Sequence, residues 1–222
     1  MKQIIIFGMG SLGQLACRFI QAEKAAKVAA FAVHGDYLES ENQQLIGVDV
    51  VAFETLTTHF PPDRYAILVA VGYKKANRAR EEISRIVEES GYERAGFVSK
   101  QAQIGPAASI GDGCVIMPGA TLMPDASIGK GNIVWPGAYI GWATQVGDWC
   151  YIASNATIGG SASVGNHCFL GVGATVRDGL TVAEDCVIGM GAALQHASKP
   201  GSVFKAPPPI VATYRSSDVR EF

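Results

Sequence analysis

From Val98 to Leu194 every sixth residue of the chain is aliphatic without one insertion: Val98, Ile104, Ile110, Ile116, Leu122, Ile128 and onward, seventeen hexads in all. The fifth place of each hexad is small, as at Ala102, Ala108, Cys114 and Ala120, with Asn132 and Leu180 the exceptions. One large and one small inward residue at a strict period of six suits a prism of short parallel strands that turn at each corner. Three hexads make a coil, so the run predicts between five and six coils, a prism about 27 Å tall at roughly 4.8 Å per layer. Cys150, Cys168 and Cys186 fall one coil apart in the small place, where cysteine acts as a compact hydrophobe. The five cysteines show no C-x-x-C spacing, so neither a disulfide framework nor a metal site is expected.

Ahead of the repeat the pattern changes. Lys2 to Phe7 reads as a buried strand, followed by G-M-G-S-L-G at Gly8, Gly10 and Gly13, a helix to about Ala22 and a second strand, Val28 to Val33. Strand, G-x-G-x-x-G, helix, strand is the context of a phosphate-binding fingerprint: glycine permits the turn and a close approach of backbone, and the helix N-terminus favours an anion. A generic tight βα turn is the alternative reading. Asp36 lies near the end of the second strand, where an acid can bind a ribose hydroxyl. Further strands are expected at Val48 to Phe53 and Tyr65 to Val71, a helix from Lys74 to Ser90 and a last strand, Tyr92 to Val98. About 97 residues leave room for one mononucleotide-binding half and not two, which disfavours an NAD-linked enzyme. The expected organisation is a Rossmann-like α/β domain over residues 1–97, a parallel β-helix over 98–199 and an extended tail over 200–222.

A net charge of −2 with 17% charged residues supplies no basic field for nucleic acid or a membrane surface. The apolar run Ile4 to Phe7 is too short for a signal segment or a span, so a cytoplasmic protein is expected.

Together, G-M-G-S-L-G, V-A-V-G-Y-K-K-A-N-R-A-R, the hexads and the tail F-K-A-P-P-P-I-V resemble the NeuD/PglD-type sugar acyltransferases over essentially the whole chain. The resemblance implies a left-handed β-helix and a homotrimer with acyl-coenzyme A, acetyl-CoA or another, in the groove between prisms and no metal. It implies a nucleotide-linked or free sugar as acceptor, in surface-polysaccharide biosynthesis. By position it assigns Gly8, Gly10, Gly13, Asp36, Gly72, Lys74 and Asn77 to the acceptor's nucleotide. Trp142, Gly160 and Lys205 fall to the acyl-CoA, Gly160 through an amide on the thioester carbonyl and Lys205 through a phosphate. Lys205 as a solvated lysine, and Lys74 and Asn77 as a plain helix start, are the alternatives.

One departure stands out. Active relatives carry a histidine where this chain has Trp142, with a polar residue after it where this chain has Ala143. An indole takes no proton. His34 and His167 are the candidate substitutes; His59 reads as exposed, and His196 lies three coils along Trp142's column. An amine is nucleophilic without a positioned base, whereas a hydroxyl gains 10²- to 10⁴-fold from one, so the loss favours N-acylation. Trp142 then either fills the vacated space or stacks on a ligand, and Trp135, Trp142 and Trp149 are expected to line subunit contacts. A non-catalytic trimeric relative that binds sugar nucleotide or acyl-CoA is the competing reading.

Overall fold

The structure, a computed structural model, describes residues 2–38 and 43–208. Ile4 to Phe7 are apolar in succession, which suits a strand covered on both faces. That strand, β1 (Gln3–Phe7), lies inside a sheet with β2 (Val28–Val33), β3 (Gln44–Leu45), β4 (Val48–Ala52), β5 (Tyr65–Val69) and β6 (Glu93–Arg94). Their order is β3-β4-β2-β1-β5-β6, and all pairs are parallel except the β3–β4 hairpin. The chain runs from β1 outward through β2 and β4, then returns to β5 on β1's other side. The C-terminal ends of β1, β2 and β5 thus flank a topological switch point, the place where open parallel sheets bind ligands. Helices α1 (Ser11–Ala22), α2 (Leu56–His59) and α3 (Arg78–Glu89) complete this half.

The hexads and one later strand, Val203–Phe204, wind into three flat faces of seven, six and five strands. Each strand pairs with the one a coil away, as in Val115↔Ile133, Thr121↔Tyr139 and Ser127↔Gln145. The hexad aliphatics from Ile116 onward are buried, whereas Val98 and Ile104 in the first coil are 43% and 39% exposed because no layer lies beneath them. Asn132, the polar exception in the small column, is fully buried and satisfied: Nδ2 donates to the carbonyls of Gly129 (2.8 Å) and Gly147 (2.9 Å), and Oδ1 accepts the Cys150 amide (2.7 Å). The cysteines do the same with weaker donors, Cys114 and Cys150 reaching the Gly129 and Gly165 carbonyls at 3.1 Å. Burial pushes the Cys114 thiol up to about 11, which keeps it protonated and inert.

The residue before each hexad aliphatic points outward, and its character differs by face. One face carries Phe97, Val115, Ile133, Tyr151, Phe169 and Val187; the others carry mostly Ser, Thr and Gln. The N-terminal half docks on the apolar face, where Ile6, Leu12 and Ile20 share one core with Phe97, Val115 and Ile133.

Two expected elements change at this junction. The helix foreseen from Lys74 begins at Arg78, because Lys75, Ala76 and Asn77 are left-handed (φ 52°, 49° and 66°). Asn77 is held there by the prism: its Nδ2 donates to the carbonyls of His167 and Cys168, each at 3.2 Å. The strand foreseen over Tyr92 to Val98 splits, β6 staying with the first sheet and Phe97–Val98 opening the prism. Gly96 lies between them, where a Cβ would stand 2.9 Å from the Cys114 carbonyl oxygen. At the far end Val203–Phe204, within the segment read as an extended tail, pairs with Val187–Ile188 as a last strand.

The junction is fastened by Arg80, 1% exposed. Its Nε donates to the Gly131 carbonyl (2.9 Å), and Nη2 to those of Trp149 (2.9 Å) and Cys150 (3.1 Å) on the prism. Nη1 donates to Val71 (3.3 Å), Gly72 (3.2 Å) and the Asn77 side-chain oxygen (3.2 Å). Among the described residues none of these partners is a carboxylate, and burial lowers the guanidinium to about 10, still charged at neutral pH. Arg80→Met will cost about 3–5 kcal/mol, because it strands several buried acceptors at once. Arg80→Lys will recover only part, since an ammonium lacks the planar fork. Chemical denaturation of the three proteins measures both.

Candidate ligand cleft and the corner at Trp142

The switch point is open as a cleft of about 540 Å³, lined by the ends of β1, β2 and β5 and the loops that follow. Gly8, Gly10, His34, Gly72 and Lys74 come together there, with Tyr37 and Tyr73 at exposed positions. The three fingerprint glycines have different reasons to be glycine. Gly8 has φ +109°, and a Cβ on it would meet the Ala70 oxygen at 2.8 Å. At Gly13 a Cβ would lie 2.1 Å from the Gly8 oxygen, so this residue lets α1 lie close on β1 and does not line the cleft. Gly10 has ordinary φ (−70°) and no atom within 4 Å of a Cβ. Among the described residues nothing demands glycine at this helix cap, where glycine is also a favoured residue. Among the described residues no side chain caps α1, whose N-cap residue Gly10 lines the cleft.

His34 ends β2 at the cleft wall. Its Nδ1 is 2.9 Å from Glu54 Oε1, and Glu54 Oε2 accepts the Gly35 amide at 3.0 Å. The bond to His34 holds the Glu54 carboxyl below its ordinary value. Phe7 meets the imidazole edge-on at 5.4 Å. Glu54 was not foreseen from sequence. Its signal was its place just past the C-terminal end of β4, the neighbour of β2. Tyr73, also unforeseen, carries the cleft to the prism: its ring lies 4.7 Å from Phe169 and 5.4 Å from Tyr151.

Other expected residues stand elsewhere. Asp36 is exposed in the turn Gly35–Tyr37 and does not line the cleft, because the chain leaves β2 two residues before it. Asn77 is fully buried and serves the junction described above, not the cleft. His167 is also at the junction: Nε2 lies 2.9 Å from Glu81 Oε2 and Nδ1 4.0 Å from Asp185, with 12% of the side chain exposed. His59, His196 and Lys205 are exposed. The tail motif beyond Pro208 lies outside the described residues.

Of the three tryptophans only Trp142 is exposed, at 56%; Trp149 is buried, and Trp135 sits half-buried near Tyr151. Trp149 covers Gly131, where a Cβ would strike its ring at 2.1 Å, so it packs within the chain. At the corner, Trp142 Nε1 donates to Asp125 Oδ2 (3.1 Å), Ala143 takes φ +53°, and the Trp142 carbonyl accepts the Ser161 amide at 2.7 Å. Gly160, one coil above, donates its amide to Asp178 Oδ1 at 2.9 Å. That donor is already engaged within the chain.

The family described as bacterial transferase hexapeptide (six repeats) matches residues 100–141, and that described as hexapeptide repeat of succinyl-transferase matches 161–195. Both matches fall within the prism, so these stretches of the chain are similar to hexapeptide-repeat transferases. The prism and the N-terminal half together share their fold, a left-handed β-helix with a small α/β domain before it, with several solved structures. A histidine-to-asparagine mutant of perosamine N-acetyltransferase from Caulobacter crescentus, in complex with CoA and GDP-perosamine, superposes with a TM-score of 0.83 at 24% identity. The match covers 93% of this chain and 98% of that one. The acetyltransferase domain of PglB from Neisseria gonorrhoeae FA1090 gives 0.80 at 22% identity, covering 91% and 96%. WeeI from Acinetobacter baumannii AYE gives 0.81, also at 22%, with the same coverage. A search by sequence among curated proteins returned no match. The glycines of the fingerprint can be tested within this fold. Gly13→Ala will destabilise the protein by more than about 2 kcal/mol, whereas Gly10→Ala will stay within about 0.5 kcal/mol of the parent. Thermal unfolding of the two variants reads the contrast.

Proposed function

We propose that this chain transfers the acyl group of an acyl-coenzyme A, acetyl-CoA in the simplest case, to the amine of a nucleotide-linked sugar. The observation that carries the proposal is the joining, in one chain, of a cleft at the switch point with a hexapeptide-repeat prism. Support comes from the whole-chain likeness to a perosamine N-acetyltransferase that holds CoA and GDP-perosamine. Amine rather than hydroxyl follows from the corner at Trp142, where neither the exposed indole nor Ala143 accepts a proton. The amine lone pair attacks the thioester carbonyl, the C–S bond breaks and the thiolate departs, and the ammonium proton passes to water or to that thiolate. Positioning of donor and acceptor supplies the acceleration. In this reading the protein works as a homotrimer in the cytoplasm, within surface-polysaccharide synthesis. The N-terminal half covers the apolar prism face and leaves the two polar faces for neighbours. Trp142 stacks on a ligand there, Lys205 meets a coenzyme phosphate, and the Gly160 amide exchanges Asp178 for the acyl oxygen.

A second reading, a trimeric binder without turnover, is favoured by that same engaged amide. Release of free thiol from acetyl-CoA, measured over GDP-, UDP- and dTDP-linked amino sugars and their hydroxyl counterparts, separates the two. Transfer to an amino sugar and not to its hydroxyl counterpart is expected; binding of both ligands without thiol release establishes the second reading. Transfer to the hydroxyl sugar alone overturns the N-acylation proposal. Trp142→His combined with Ala143→Glu will raise hydroxyl transfer on the order of 10²-fold or more.

A further inference from the structure

The acid expected to hold a ribose, Asp36, does not line the cleft, yet a hydrogen-bonding group stands there just past the end of β2. It is His34, and its environment settles which way its nitrogens serve. A carboxylate only accepts, so Glu54 Oε1 at 2.9 Å requires Nδ1 to carry the proton. The other Glu54 oxygen is taken by the Gly35 amide at 3.0 Å, which fixes the carboxylate in turn. Phe7 and Phe53 stand edge-on to the imidazole at 5.4 and 6.3 Å and set its plane. With Nδ1 committed, the ring in its neutral form presents Nε2 as a lone-pair acceptor, on a side chain that lines the cleft.

We propose that the His34–Glu54 pair is a hydroxyl reader for the ribose of a nucleoside diphosphate whose phosphates rest on the N-terminus of α1. The proposal rests on the reading of the cleft as the nucleotide site and names the group that selects the sugar of the nucleotide. Two features set this reader apart from an acid at the same place. A neutral imidazole accepts a hydroxyl without repelling the phosphates beside it, and its single lone pair reads one hydroxyl, whereas a carboxylate can hold two. The pair therefore makes binding depend on either the 2′- or the 3′-hydroxyl and not on both. Glu54 acts through His34 and is a positioning residue.

Calorimetric titration of the full chain with GDP and UDP, and with their 2′-deoxy and 3′-deoxy forms, tests this. In the parent protein, loss of one of the two hydroxyls weakens binding about tenfold, and loss of the other leaves it unchanged. In His34→Phe, which keeps a ring against Phe7 and Phe53, that ratio falls to about one, while inorganic pyrophosphate competes as it does with the parent. Glu54→Ala lowers the ratio as well, because the imidazole loses the carboxylate that orients it and fixes its tautomer. Unfolding temperatures within a few degrees of the parent exclude a folding cause. Equal binding of all three forms by the parent, or a ratio that persists in both variants, overturns the hydroxyl reader alone. Failure of the parent to bind any of these nucleotides removes the nucleotide reading of the cleft and the reader with it.

Discussion

A guanidinium buried without a carboxylate is costly, and the architecture of this protein turns on one. Arg80 satisfies its donors with carbonyls from two separate structures, three on the prism and two on the loop after β5, plus the Asn77 side chain. Those carbonyls lie at the right distances only when the N-terminal half sits on the apolar prism face in one orientation. Hydrophobic contact along Phe97, Val115 and Ile133 supplies attraction with little direction, and the planar fork supplies direction. The same bonds draw Val71 and Gly72 toward the prism just before Tyr73 and Lys74, so the wall of the cleft is partly held from the prism side.

The prism was readable almost residue by residue because its period leaves no freedom. One insertion would displace every inward side chain that follows, and the small column reports where the corners fall. Asn132 looked like a lapse in that column and is instead its best-bonded member. The docking face was equally written in the sequence, in the apolar residues preceding every third hexad aliphatic, but it becomes visible only when the repeat is folded into faces. Places where two elements meet resisted reading for the opposite reason. Nothing local in Lys75-Ala76-Asn77 says that three successive residues turn left-handed; the prism carbonyls that hold Asn77 lie about ninety residues away. Glu54 was likewise invisible without knowing that β4 lies beside β2.

The two candidate regions differ in what they are made of. The cleft is built: glycines shaped to a turn, an uncapped helix end, an oriented imidazole and a lysine converge on one space. The corner at Trp142 is defined more by subtraction. There a large indole is tethered to Asp125, and the amide above it is engaged by Asp178. Under the proposed reaction, recognition falls to the N-terminal half and the prism contributes alignment more than acid–base chemistry.

The outward apolar column on the seven-stranded face also decides how the gene product can be divided. Cut near Gly96, the chain would not yield two independent modules. The repeat would surface with a continuous greasy stripe several layers long, a pattern that invites aggregation. The other piece would keep its sheet but lose the carbonyls that neutralise the cost of its buried arginine. The two halves look like separate inventions joined in sequence, yet neither is equipped for life in water without the other.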